Sequence, residues 1–218
     1  MVDYSSSAYW KERHREQTDT EWHCTYKTLH AVIAPHISKE RCSVLVCGSG
    51  ASTFPEELYD GGVNDVMVVD FNEEAVEELR TRNASGRSGL RIMQADIGDG
   101  LDLPTREVGF DLVVDKGTMD CILSKSGGYP RAVHAMQAIY SHMKTPATLV
   151  LVSHSPPQDR MDLFHSLYWH EIKVRVVRPP SIQDLVSGKH IEECLEDVPE
   201  SAALFYEPGL SFVYSLVK

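Results

Sequence analysis

Val44-Leu45-Val46-Cys47-Gly48-Ser49-Gly50-Ala51-Ser52 is the stretch that most constrains the architecture. The apolar run reads as a buried strand, and it empties into two glycines one residue apart. Twenty residues after Gly50, a second apolar run, Val66-Met67-Val68-Val69, ends in Asp70. Gly48 and Gly50 allow backbone to approach a ligand closely, and a carboxylate at that distance can accept from two ribose hydroxyls. The pair predicts a site for an adenosine-containing cofactor.

On either side of this stretch, the remaining segments alternate in type. Strands are expected at 42–47, 66–69, 90–93, 110–114, 148–152, 172–177 and 210–217. Trp22, Tyr26, Leu29 and Ile33 form a helical stripe, with Thr20 as candidate N-cap and Pro35 near the end. Further helices are expected at 53–59, at 73–79 behind Asn72 as cap, and at 130–143 with Pro130 in the first turn. Such alternation predicts an α/β fold: one doubly wound, mostly parallel seven-stranded sheet covered on both faces. The last strand has no long helix before it and is expected to insert antiparallel. The chain reads as one domain over 1–218, with a helical cover at 1–36 and a core at 42–218.

Composition narrows the function classes. The chain has 218 residues, enough to bury a sizeable core, and no apolar run reaches the ~20 residues that span a bilayer. The polar start, Met1 to Ser7, lacks the apolar centre of a signal peptide, so the cytoplasm is expected. The five cysteines, Cys24, Cys42, Cys47, Cys121 and Cys194, form no Cys-x-x-Cys pair and read as reduced thiols. Ten histidines include no His-Glu-x-x-His and no cluster with cysteines, so no metal is expected. The formal net charge of −11 disfavours a phosphate backbone as partner and leaves room for a basic protein.

The choice of cofactor turns on the residues after the two glycines. Thr53 stands where a nicotinamide-binding turn carries its third glycine, so that turn is not specified. Asp96 follows the third strand and Asp115 ends the fourth, so Gly48, Asp70, Asp96 and Asp115 fall at four successive carboxyl ends. Ligands of open α/β sheets bind along that edge.

These residues, with Tyr9-Trp10, Arg13, Glu21-Trp22, Tyr26 and above all Asp115-Lys116-Gly117-Thr118-Met119-Asp120, resemble one family closely. The sequence is similar to class I S-adenosylmethionine-dependent methyltransferases, in particular the methyltransferase-like family that includes lysine methyltransferases of translation elongation factor 1-alpha. The match runs from about Ala8 to the final strand. Asp-Lys-Gly-Thr-x-Asp is its specific part.

The resemblance implies S-adenosyl-L-methionine as cofactor and a protein substrate, such as an elongation factor, with no nucleic acid or membrane partner and a monomeric state. It implies that Gly48 and Gly50 approach the methionine part, that Asp70 takes the ribose hydroxyls, and that Ser49, Phe71, Asn72 and Lys116 also contact the cofactor. Asp96 and the Ile97 backbone would meet the adenine. Tyr9, Trp10 and Arg13 would form the N-terminal cover, with Arg13 available to the methionine carboxylate through its planar fork. Tyr26 would contact the cofactor, with Tyr9, Trp22 or Tyr26 lining the access channel. Asp115 is the implied catalytic residue, beside the cofactor's amino end at the mouth where substrate enters, with Lys116 next to it. Lys116 is alternatively a structural partner of Asp120 or another acid. His154-Ser155-Pro156-Pro157 reads either as a substrate loop or as a strand stop.

Asn-Pro-Pro-Tyr, the mark of transfer to planar amide or exocyclic amine nitrogens, is absent after the fourth strand. A lysine amine fits that absence, as does an oxygen or small-molecule acceptor. The acids of Glu192–Glu200 read either as a surface that steers a lysine-rich partner or as a solvated helix face.

Overall fold

The structure, a computed structural model, describes residues 6, 9–12, 21–37, 41–84, 86–103, 109–178, 194–198 and 209–218. Its strands are β1 (Ser43–Cys47), β2 (Asp65–Asp70), β3 (Leu90–Gln94), β4 (Phe110–Lys116), β5 (Met143–Ser153), β6 (Glu171–Arg178), β7 (Cys194–Val198) and β8 (Ser211–Val217). The helices are α1 (Tyr26–Ile37), α2 (Phe54–Asp60), α3 (Glu73–Arg82), α4 (Thr118–Leu123), α5 (Gly128–His142) and α6 (Met161–Phe164). The strands form one sheet in the order β3-β2-β1-β4-β5-β8-β6-β7.

Strands β1 to β5 run parallel, and β8 inserts antiparallel between β5 and β6. The doubly wound, mostly parallel sheet and its antiparallel final strand are as expected, but among the described residues the sheet has eight strands rather than seven. The extra one, β7, pairs antiparallel with β6 at the edge. It lies inside the acidic stretch read as a steering surface or a solvated helix face. Its acids pair with β6 arginines, Asp197 with Arg175 at 2.7 Å and Glu196 with Arg178 at 3.2 Å. Charges are a usual way to blunt an edge strand, and here they hide the apolar alternation of a strand pattern.

α1 starts at Tyr26, later than the stripe beginning at Trp22 suggests. His23 takes a left-handed backbone (φ +68°), which breaks the helical run, and Thr25 Oγ1 accepts from the Thr28 N–H at 3.3 Å to open the helix. Thr20, the expected cap, lies outside the described residues. α3 begins as expected: Asn72 Oδ1 accepts from the Glu74 N–H at 3.0 Å, with Glu73 and Glu74 in the first turn and Arg80 and Arg82 in the last.

Side chains alternate across the sheet, so each strand feeds two cores. Leu45, Val113 and Leu149 face Ala132, Met136 and Ile139 of α5. Val44, Val46 and Leu112 face Leu29 and Ile33 of α1 and Phe54 and Leu58 of α2. Each fully buried side chain of this size contributes about 1.5–3 kcal/mol. This two-sided burial fixes the strand register and holds the carboxyl ends of β1, β2 and β4 level with one another.

Candidate active site

Two adjoining cavities open along that edge. The larger, about 780 Å³ including its mouth, is lined by the Gly48–Ser52 turn, Asp70–Asn72, Lys116–Thr118, Cys121, Trp10 and Trp22. The smaller, about 430 Å³, shares Gly48, Asp70, Phe71, Thr118 and Cys121 with it and adds Asp96, Ile97 and Arg131 among others. Their volumes are those of small-ligand sites.

The β1 turn is locked from three sides. The Gly48 N–H donates to the Val69 carbonyl at 2.7 Å. Gly48 has φ +64°, and a Cβ there would stand 1.9 Å from Thr118 Oγ1, which itself donates to the Cys47 carbonyl at 2.9 Å. Gly50, at φ +52°, has open space where a Cβ would point. The Asp70 carboxylate is buried at the end of β2: Oδ2 accepts from the Gly50 N–H at 2.7 Å and Oδ1 from the Asn72 N–H at 2.8 Å. Each carboxylate oxygen can accept more than one bond, so Asp70 can serve both the turn and a diol.

Asp96 caps the 3-10 turn Ile97–Asp99 through the Gly98 N–H at 2.8 Å, and its other oxygen meets Arg131 at 2.9 Å. Thus Gly48, Ser49, Gly50, Asp70, Phe71, Asn72, Asp96, Ile97, Lys116 and Trp10 all border one or both cavities. Burial, then Asp120, Asp115 and Asp70, pushes the Cys121 thiol up to about 12, so this wall of the site stays uncharged.

Three expected residues stand elsewhere. Tyr26 borders neither cavity; its ring packs against Phe54 at 5.7 Å, on the far core. Tyr9 borders neither cavity; its ring lies 5.1 Å from that of Trp10, which does. Asp115 is not at a mouth. It is wholly buried, and its Oδ1 accepts from the N–H groups of Thr118 (3.0 Å) and Met119 (3.3 Å). Its Oδ2 has no hydrogen-bond partner among the described residues. Burial pushes the carboxyl up to about 7, with Asp120 adding to the rise and the two N–H bonds and Arg160 opposing it. The physical reason for its position is the strand itself: Asp115 is paired with Cys47 and Leu151 between two central strands, which leaves it no route to solvent. Arg13 lies outside the described residues.

Lys116 resolves to a structural partner, and the acid is Glu21 rather than Asp120. Its Nζ meets Glu21 Oε2 at 2.5 Å and the Trp22 carbonyl at 3.1 Å. Glu21 Oε1 in turn accepts from Ser52 Oγ (2.6 Å) and the Thr53 N–H (3.2 Å). This clasp draws the segment before α1 across the site and sets Trp22 in the cavity wall. Trp10 packs on Trp22 at 5.0 Å, and Lys11 meets Glu74 of α3 at 3.2 Å.

Beyond Gly117 lies a second polar cluster. Asp120 Oδ1 accepts from Ser153 Oγ (2.5 Å) and Arg160 (2.8 Å), and its Oδ2 accepts from the His154 N–H (2.8 Å). His154 Nδ1 lies 3.3 Å from the Leu210 carbonyl, and its ring is 4.0 Å from that of His23. His23 Nδ1 lies 3.2 Å from Ser211 Oγ, while its Nε2 is buried against Gly117 without a hydrogen-bond partner among the described residues. Sequence reasoning missed His23, Arg131 and Cys121. Thr118 was legible, since it stands inside the Asp-Lys-Gly-Thr-x-Asp run.

The chain matches the methyltransferase domain family over residues 38–182. It is 34% identical over 124 residues to the mouse eEF1A lysine and N-terminal methyltransferase, a match of 56% of this chain and 17% of that protein. It is 32% identical over 124 residues to mouse EEF1A lysine methyltransferase 4, covering 56% of this chain and 47% of that protein. The chain therefore spans less than half the length of these relatives. Among solved structures, it resembles the N-methyltransferase NodS of Bradyrhizobium japonicum WM9 in complex with S-adenosyl-L-homocysteine. The TM-score is 0.64 at 14% identity, over 99% of this chain and 98% of that one.

A parallel sheet with an antiparallel insert, glycines after β1 and a carboxylate after β2 define the class I methyltransferase fold. The chain belongs to the methyltransferase domain family, whose cofactor is S-adenosylmethionine. The open space at Gly50, the diol-competent Asp70 and the adjoining pocket at Asp96 suit that group.

Proposed function

We propose that this methyltransferase modifies the side-chain amine of a lysine in a protein, with an elongation factor 1-alpha-like protein as acceptor. The observation that carries the reading is the cofactor-competent edge at Gly50 and Asp70, in a chain similar to proteins named for eEF1A lysine methylation. The same reading expects a cytoplasmic monomer.

S-adenosylmethionine, when bound, supplies a methyl group on a sulfonium whose sulfur keeps the bonding electrons as the amine attacks. The residues of this chain hold and enclose it. Asp70 would accept from the ribose hydroxyls, Gly48 to Gly50 would hold the methionine part, and Asp96 with the Ile97 backbone would hold the adenine. Trp10, with Tyr9 packed on it, and Trp22 cover the site and exclude water. Asp115 acts by position: it holds the first turn of α4, and through Thr118 it braces Gly48. A lysine amine, ordinarily near 10.4, must lose a proton before it can attack, and desolvation beside the indole rings favours its neutral form.

The test is incubation with methyl-labelled S-adenosylmethionine and a cell extract, then with purified elongation factor 1-alpha. Label in a protein, mapped to lysine, is the expected result. Label confined to small metabolites overturns the protein reading in favour of a small-molecule methyltransferase.

A further inference from the structure

The cofactor cavity accounts for one side of Gly117. On the other side, three segments remote in sequence bring two imidazoles together: 21–25, the end of β5 and the start of β8. His23 is the one non-glycine residue with positive φ among the described residues. Non-glycine residues adopt that conformation uncommonly, and it persists where the surroundings fix it. What fixes it here is Ser211 on Nδ1, the Gly117 backbone against Nε2, and His154 across its face.

His154 is held differently. The Leu210 carbonyl can only accept, so the proton of the neutral ring sits on Nδ1 and the lone pair sits on Nε2. The main chain of His154 is tied to Asp120, which the buried guanidinium of Arg160 fixes in turn. The residue is exposed, and its Nε2 meets no partner among the described residues. It stands two residues past Val152, whose carbonyl accepts from the Gly117 N–H at 3.0 Å, and Gly117 borders the cofactor cavity. His154 lines neither cavity but reaches Gly117, which does, through the His23 ring and the Val152 carbonyl. An imidazole with a fixed tautomer, an oriented ring and an exposed acceptor nitrogen one ring away from that wall is an arrangement suited to a general base.

We propose that His154 Nε2 takes the proton from the acceptor's ammonium group, and that His23 is the positioning residue that backs its ring. The assignment rests on the lysine reading above. The step balances: the ammonium loses one proton and becomes a neutral amine with a free lone pair, and His154 becomes an imidazolium with both nitrogens protonated. The groups facing the pair are Asp120 from α4, Lys116 from β4, Ser211 from β8 and the Leu210 carbonyl. Burial, then the neighbouring His154, pushes His23 down to about 3, so the inner ring stays neutral near pH 7.

Two measurements test it. With purified elongation factor 1-alpha as acceptor, His154→Gln is expected to lower kcat about 100-fold at pH 7 while KM stays within about twofold. The deficit should shrink as pH rises towards that of free lysine, because solvent then removes the proton itself. Binding of S-adenosylhomocysteine to the variant should be unchanged. Independently of activity, nitrogen-15 NMR of the wild-type histidine rings should show the His154 proton on Nδ1. A variant as active as wild type at every pH, or a ring protonated only on Nε2, overturns the assignment alone. A wild-type protein that labels no protein acceptor overturns the lysine reading, and this assignment with it.

Discussion

At the β1–β2 edge, Gly50 meets Asp70 across 20 residues of chain; past the β4–β5 edge, His23 meets Ser211 across 188. The first contact lies within one strand-helix-strand unit, where the glycine turn and the carboxylate keep a fixed spacing because the crossover fixes it. The second joins the segment before α1 to the start of the last strand, and no local spacing encodes it. The cofactor side is thus a property of a supersecondary unit, and the proposed acceptor side is a property of the completed sheet.

The widest test of that contrast is Asp70→Ala against His154→Gln. Loss of a buried carboxylate that holds the turn, and that we propose to hold the sugar, should weaken S-adenosylhomocysteine binding by about 100-fold or more, read by calorimetry. His154→Gln should leave the same constant within about twofold. Equal losses in the two variants would remove the division into a donor side and an acceptor side.

Within the donor side, the two glycines differ. Gly48→Ala combines a left-handed backbone with a methyl 1.9 Å from Thr118 Oγ1, so we expect a loss of about 2–4 kcal/mol in urea denaturation. Gly50→Ala meets open space and should cost about 1 kcal/mol, the backbone strain alone. Equal costs would show that the packing of Thr118 on Gly48 does not hold the turn.

Asp115 offers a pH signature. Its carboxyl is raised to about 7 in the folded protein, against about 3.9 in an unfolded chain. Between those values the folded state holds a proton that the unfolded state has released, so stability falls as pH rises from about 4 to about 7. Above that window the cost of an ionised, buried carboxylate is present in full. Asp115→Asn keeps an oxygen for the Thr118 and Met119 N–H groups, and it should flatten this slope and gain on the order of 1 kcal/mol at pH 8. An unchanged slope between pH 4 and 7 would show that Asp115 ionises freely in the fold.

The same contrast explains which residues could be read before folding. The β1 glycines, Asp70 and Asp96 announce themselves because strand ends alternate with helices of ordinary length, and Asn72 marks its helix by capping chemistry alone. Asp115 was legible as a strand-end acid but not as a buried one, since burial depends on β1 and β5 flanking it. Tyr26 fits a helical stripe equally well facing the site or facing Phe54, and only the docking of α1 decides. Lys116 was seen to need an acid, but Glu21 lies 95 residues away. The left-handed His23 had no signal at all, because nothing local requires a histidine to leave the helical run.

The smallest expected effect concerns β7, whose acids invite the idea of steering a basic acceptor. Glu196 and Asp197 each lie against an arginine of β6, so the strand presents close ion pairs where the sequence alone shows a run of negative charge. Paired charges cancel beyond a few ångströms, and at about 0.15 M salt the field of what remains fades over about 8 Å. Reversing both acids, Glu196→Lys with Asp197→Lys, should therefore raise KM for a basic protein acceptor less than about twofold at that ionic strength. Stability should fall by under about 1 kcal/mol, as exposed pairs are lost and like charges meet. A severalfold, salt-sensitive rise in KM would instead make this edge part of the acceptor's path, and would extend the acceptor side across β8 and β6 to the far border of the sheet.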